Sequence, residues 1–244
     1  MKVLSLVAGP ARLLYHVATN RRVRRSWLLR LTRPANLFQP EIDTLPNRYP
    51  EVFALLKHTL GEDSSVKVLS FGCSTGEEVF SLRDYLTSAT ITGLDISRGN
   101  IADCRRRLGL SPDPRIRFEV AGATDRLATD HFDAILCMAV LRHADLSYSQ
   151  APCCDHRVTF AAFDRTVVDF ARCLKPGGLL VIEHSNFRFS DTSVAGAFEC
   201  VLRMEKSFDP RIPLFGPDNR RLPVPSYGEV AFRKRSAPGE AASG

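Results

Sequence analysis

Residues 72–76 read Gly-Cys-Ser-Thr-Gly, directly after the apolar run VLSF and directly before Glu77 and Glu78. Two glycines let a chain turn sharply and bring its backbone close to a ligand. A loop of this kind after a strand usually cradles phosphate against a helix N-terminus. Two adjacent carboxylates repel phosphate, although acids also suit the first turn of any helix. Further on, Gly93-Leu94-Asp95 offers a carboxylate that can accept from two adjacent ribose hydroxyls. Its distance from the loop is about what a nucleoside-binding βαβ unit needs. His143 and His184 have the side chain whose titration near neutrality suits a general base. Asn186 can orient an acceptor oxygen or amide, and Glu183 lies beside it in sequence. Each histidine also has a plainer reading: His143 in a solvent-facing turn, His184 hydrogen-bonded at a sheet edge. Cys153-Cys154-Asp155-His156 is read as an ordinary loop and no metal ligand is assigned, because a structural zinc site wants four spaced ligands.

The elements that must hold these groups alternate in type. PEVFALLKHTL (50–60) has helical spacing, and VKVLSFG (66–72) is a short β-rich run. A helix over 77–86, a strand over 90–95, a helix over 97–109 and strands over 116–121 and 131–138 follow. A long amphipathic helix is expected over 159–178, stopped by Lys175-Pro176-Gly177, and then an apolar strand over 179–185. Such alternation means βαβ units and a parallel sheet. The stretches 197–208 and 228–235 read as a closing antiparallel pair, and 236–244 reads as a disordered tail. In an open parallel sheet, ligands bind at the carboxyl ends of the strands, where the loop 72–76 and Asp95 both fall.

A nucleoside that carries positive charge in place of phosphate fits a glycine loop followed by acids. S-adenosylmethionine, with ribose hydroxyls, a sulfonium and an ammonium, is such a molecule. From about Val66 to Arg235 the chain resembles the class I S-adenosylmethionine-dependent methyltransferases. VLSFGCSTG is similar to that family's first motif, Asp95 to its ribose-binding acid, FDAILCM to its fourth strand and LKPGG to the turn before its fifth. The resemblance implies a doubly wound, mostly parallel seven-stranded α/β sheet with an antiparallel last strand. It implies cofactor contacts from Gly72, Cys73, Ser74, Thr75, Gly76, Glu77, Asp95, Ile96, Ala123 and Met138. Two positions depart from the family pattern. Ser70 stands where an acid precedes the first glycine, so that Glu77 or Glu78 must compensate. Gly122 is not followed by the usual Asp, which leaves Asp125 as a candidate near the adenine. GCSTGEE, GLDIS and LKPGGLLVIEHSN also resemble chemotaxis receptor methyltransferases, which esterify protein glutamates. Asn47-Arg48-Tyr49-Pro50 resembles the helix that caps the cofactor in many small-molecule methyltransferases, with Arg48 placed to pair with its carboxylate.

Net charge is +6, yet residues 1–40 hold eight basic residues and no acid, so residues 41–244 carry −2. The basic signal therefore belongs to an N-terminal arm. Three parts are expected: a basic helical extension over 1–40, a methyltransferase domain over 41–235 and the tail. The arm either covers the domain or, through residues 1–35, makes peripheral contact with an anionic membrane surface. No run is long enough to span a bilayer, and no basic-aromatic platform suits nucleic acid. The seven cysteines include no C-x-x-C pair, which fits reduced thiols in a cytoplasmic protein.

The expected function is methyl transfer to an O or N atom of a small-molecule or lipid-linked acceptor, with His143 and His184 as candidate bases. Phe187, Phe189, Phe215 and Tyr227, with Arg211, Arg220 and Arg221, are candidate acceptor walls. The alternatives are a protein-glutamate methyltransferase and a non-catalytic S-adenosylmethionine-binding protein.

Overall fold

The computed structural model describes residues 10–42, 44–204, 212–223 and 227–236. Three helices lead in: α1 (Pro10–Thr19), α2 (Arg21–Thr32) and α3 (Pro50–Leu60). There follow β1 (Lys67–Phe71), α4 (Glu77–Tyr85), β2 (Thr90–Asp95), α5 (Arg98–Leu110), β3 (Ile116–Val120) and β4 (Phe132–Met138). The chain continues through α6 (Ala144–Tyr148), α7 (Phe160–Cys173), β5 (Leu174–Glu183), β6 (Phe198–Arg203) and β7 (Glu229–Lys234). Helix starts follow local chemistry. Ser97 Oγ accepts from the Asn100 N–H and Thr159 Oγ1 from the Ala162 N–H, each satisfying a donor that a helix N-terminus leaves open.

The seven strands form one sheet in the order β3-β2-β1-β4-β5-β7-β6. The first five are parallel, and β7 runs antiparallel to both β5 and β6. Strand β1 shows why both faces are covered. Its side chains alternate with period two. Leu69 and Phe71 pack toward α7 with Phe163, Val167 and Phe170, while Val68 packs with Val52, Phe53 and Leu82 of α3 and α4. Strand order reverses between β1 and β4, so a crevice opens outside their carboxyl ends.

The long helix is shorter than its sequence pattern suggests. It ends at Cys173, and Lys175-Pro176-Gly177 lies inside β5, where the β4–β5 register shifts between Phe132 and Ala134. Proline donates no ladder hydrogen bond and Gly177 adopts φ +78°, so the segment enters the strand through an irregularity instead of a separate turn. The strand candidates at 197–208 and 228–235 pair as expected over 198–203 and 229–234. Residues 205–208 and Arg211 lie outside the described residues, as does the tail after Ser236.

The basic arm is tied to the domain through α2. Asn20 separates α1 from α2, its Oδ1 accepting from the Arg22 and Val23 N–H groups. Arg25 reaches Asp103 on α5 at 2.5 Å and donates to Asn100 Oδ1 at 3.3 Å. Arg30 pairs with Glu41 and with Asp145 of α6. Asp103 is held below the usual carboxylate range by the Arg25 guanidinium. Arg25→Ala is expected to loosen this docking, seen as faster proteolysis between residues 20 and 49 with the sheet domain intact. Unchanged cleavage would show that the arm is held elsewhere.

Candidate functional site

The crevice at the switch point holds a cleft with about 930 Å³ of atom-free space, its mouth included. Small-molecule sites commonly fall in a range of roughly 300–1,000 Å³. Its floor is the glycine loop. Gly72 (φ +75°) and Gly76 (φ +90°) take left-handed conformations, as does Ser74 between them. The N–H groups of Gly72 and Cys73 both donate to Leu94 O at 2.8 Å, which ties the loop to the end of β2. A Cβ on Gly72 would collide with the Val140 methyls after β4. Gly72→Ala is therefore expected to cost ~1–3 kcal/mol in backbone strain alone, read as a lowered melting temperature; an unchanged one would contradict the packing.

Asp95 is the best-organised group in the cleft. It is 8% exposed, and its Oδ2 accepts from the Ser74 N–H at 2.9 Å. Its Oδ1 accepts from the Ser97 N–H at 2.8 Å and from Asn100 Nδ2 at 3.2 Å. Burial lifts its pKa to about 6, while these hydrogen bonds pull the other way. Three donors take three of the roughly four acceptor sites of this carboxylate, which leaves one on Oδ2 for a hydroxyl.

The second acid is Glu78, not Glu77. Glu78 lines the cleft and accepts from Ser70 Oγ at 2.6 Å. Burial raises it to about 7, the Ser70 hydrogen bond opposes, and Glu183 raises it further. The acid missing from position 70 is thus supplied from α4, on the hydroxyl that replaced it. Glu77 turns outward to hold the loop, its Oε2 accepting from Thr75 Oγ1 at 2.6 Å and its Oε1 lying 3.9 Å from Arg107. On α4, Glu78 shares the i, i+4 row of buried Leu82, and that spacing was the available signal.

Of the residues expected at the cofactor, Gly72, Cys73, Ser74, Asp95, Ile96 and Met138 line the cleft. Thr75, Gly76, Glu77 and Ala123 do not, and Asp125 is exposed outside it. Ala121 and Gly122 line it beside Ile96. The arm supplies Leu29 and Asn36–Gln39 to the remaining wall, and the segment after it supplies Glu41, Ile42, Arg48 and Tyr49. Tyr49 is 7% exposed, its hydroxyl has no hydrogen-bond partner among the described residues, and burial raises its pKa well above normal. A buried donor left open toward a cleft calls for a ligand.

The two histidines separate. His143 is 8% exposed and outside the cleft lining. Its Nδ1 accepts from the Asp145 N–H at 3.3 Å, capping α6, and burial lowers its pKa to about 4. It is a neutral helix cap where a solvent-facing residue or a base had been expected. His184 directly follows β5 at φ +54°, with its ring 6.2 Å from that of Tyr49 and its Nδ1 3.7 Å from Glu183. Asn186 is buried and joins the loops after β4 and β5, accepting from the His143 N–H and donating to Pro213 O. Phe187, Phe189 and Phe215 are core residues, not an open acceptor wall. Cys153, Asp155 and His156 bring three ligand atoms within 4.8 Å of one another, two of the residues being exposed.

An open sheet of this order, with a glycine loop and a buried carboxylate at its switch point, has the architecture of the Rossmann-like methyltransferase fold. Residues 69–182 match the family model described as a methyltransferase domain. The matched stretch runs from β1 to β5 and includes the glycine loop, so this part of the chain is similar to methyltransferase domains, and the sheet order is that of their fold. An uncharacterised protein of Synechococcus sp. is 29% identical over 136 residues, which cover 55% of this chain and 29% of that protein. Among solved structures, a Haemonchus contortus phosphoethanolamine N-methyltransferase with S-adenosylhomocysteine aligns at TM-score 0.44 and 18% identity, covering 58% of this chain and 29% of that one. A Streptomyces coelicolor geranyl diphosphate C-methyltransferase aligns at TM-score 0.40 and 17% identity, covering 55% and 43%. The chain spans less than a third of the length of the curated relative and of the Haemonchus structure.

Proposed function

We propose that this protein binds S-adenosylmethionine in the cleft and transfers its methyl group to an O or N atom of a small-molecule or lipid-linked acceptor, in a reducing, cytoplasmic setting. The observation that carries the reading is a pair of carboxylates lining one cleft, Asp95 buried and facing it for a ribose hydroxyl, Glu78 half-buried and facing it for a cation. When bound, the cofactor supplies an electrophilic methyl on a good, neutral leaving group. The protein's share is then positioning and desolvation. Asp95 orients the ribose, the Gly72–Ser74 backbone lets the ligand sit close, and Glu78 faces the positive methionine end. Phe38, Phe53 and Phe71 wall the site with apolar surface. Tyr49, with His184 and Glu183 beside it at the end of β5, is assigned to the acceptor side. His184 takes a proton where the acceptor must lose one.

Tyr49→Phe is expected to lower turnover about tenfold, the worth of roughly one buried hydrogen bond, with S-adenosylmethionine affinity unchanged. Thermal stability should hold or rise, since an unpaired buried hydroxyl is removed. Production of S-adenosylhomocysteine with a panel of amines, hydroxy compounds, amphiphiles and glutamate-bearing receptor peptides tests the function itself. Turnover confined to the small molecules and amphiphiles supports the reading. Turnover only on the peptides would favour a protein-glutamate methyltransferase, and none at all a binding protein.

A further inference from the structure

Among the described residues, nothing covers the outer face of α2. At about 3.6 residues per turn, Trp27, Leu28 and Leu31 share one side of the helix, with Arg24 and Arg21 on the same arc. Trp27 is 40% exposed, Leu28 52% and Leu31 64%. Leu29 and Arg25, on the opposite side, face the cleft and α5. The acids that α2 can reach, Asp103, Glu41 and Asp145, are already engaged by Arg25 and Arg30. Arg21, Arg22, Arg24 and Arg33 are exposed and make no ion pair among the described residues. Tyr15 of α1 adds a further exposed ring, at 65%.

Large apolar side chains standing out of a helix that is rich in arginine and free of acid fit one kind of partner. The apolar groups enter the boundary between headgroups and acyl chains, and the guanidinium groups meet lipid phosphates. Isolated apolar residues on a surface need no explanation. Three large ones on one arc, rimmed by one sign of charge, do. No helix of the described residues is long and apolar enough to cross a membrane, so the contact is peripheral.

We propose that the outer face of α2, with Trp27, Leu28 and Leu31 at its centre, docks on an anionic phospholipid surface. Because Leu29 of the same helix lines the cleft, docking would hold the cleft wall against that surface. The inference goes beyond methyl transfer and does not depend on it.

Trp27 is the only tryptophan in the chain, so its fluorescence reports on this face directly. Full-length protein is mixed with vesicles of phosphatidylcholine plus phosphatidylserine, and with vesicles of phosphatidylcholine alone. A blue shift of Trp27 emission and co-flotation are expected with the anionic vesicles only, weakening as salt is raised. Arg21→Gln and Arg24→Gln should each lower partitioning about fivefold. Leu28→Ser with Leu31→Ser should abolish the shift, with circular dichroism and thermal melting unchanged as a check of folding. No shift, or an equal shift with both vesicle types, would overturn the proposal. A shift that grows with protein concentration without lipid would also overturn it, and would assign the face to a second copy of the chain.

Discussion

Replacing Asp95 with alanine is expected to weaken S-adenosylmethionine binding by about 10–10²-fold. The carboxylate offers one hydrogen bond to a ribose hydroxyl, worth about 1.5–3 kcal/mol because one partner is charged. It also holds the site together, receiving the Ser74 and Ser97 N–H groups and the Asn100 amide. Alanine leaves those donors unpaired and frees the loop between the two glycines. Asp95→Asn separates the two contributions, since it keeps the volume and loses the charge. If either variant binds as the wild type does, the diol lies elsewhere. Binding is to be measured by calorimetry, with circular dichroism confirming the fold.

Glu78→Gln carries the second large effect, and its two parts have opposite signs. The carboxyl titrates at about 7 in the folded protein against an ordinary value of 4.5. Between those pH values the folded state holds a proton that the unfolded chain has released. Stability from this group therefore falls as pH rises from 4.5 to about 7, by on the order of 3 kcal/mol. Glutamine has no such penalty. Without cofactor, Glu78→Gln should be more stable than wild type at pH near 8, and the gap should close toward pH 5. The cofactor is expected to behave the other way. The variant loses the carboxylate that faces the positive methionine end, and affinity near pH 8 should drop roughly tenfold or more. Wild-type affinity should rise with pH as Asp95, at about 6, and Glu78, at about 7, ionise. The variant's should rise only over the lower part of that range. Denaturant unfolding at several pH values, with binding measured alongside, reads both. A variant that is less stable at high pH and binds normally would mean that Glu78 is a structural acid.

The sheet was legible in the sequence because its signals are local. Short apolar runs such as VKVLSF and FDAILCM alternate with helical spacing, and Gly72 and Gly76 stand where the backbone needs positive φ. Asp95 could be placed from its distance to the loop alone. What could not be read depends on contacts between distant parts of the chain. The arm looked like an appendage, yet Arg25 meets Asp103 and Arg30 meets Asp145, which brings Leu29 and Phe38 to the cleft beside Tyr49. Glu77 and Glu78 are chemically equal neighbours, and only the helical phase set by Leu82 sends one into the cleft. His143 resembled a base because nothing in the string of residues shows that it is buried and capping α6. The phenylalanines after β5 resembled a pocket wall because an apolar wall and an apolar core have the same composition.

The central claim is that the cleft takes a cationic nucleoside and not a phosphate-bearing one. Calorimetric titration of the full chain with S-adenosylmethionine and, separately, with NAD tests it most directly. Saturable binding of S-adenosylmethionine, tightening as pH is raised through about 6 to 7, with no binding of NAD, is the predicted result. Binding of NAD at comparable or higher affinity would contradict the account, because Glu78 would then be facing phosphate.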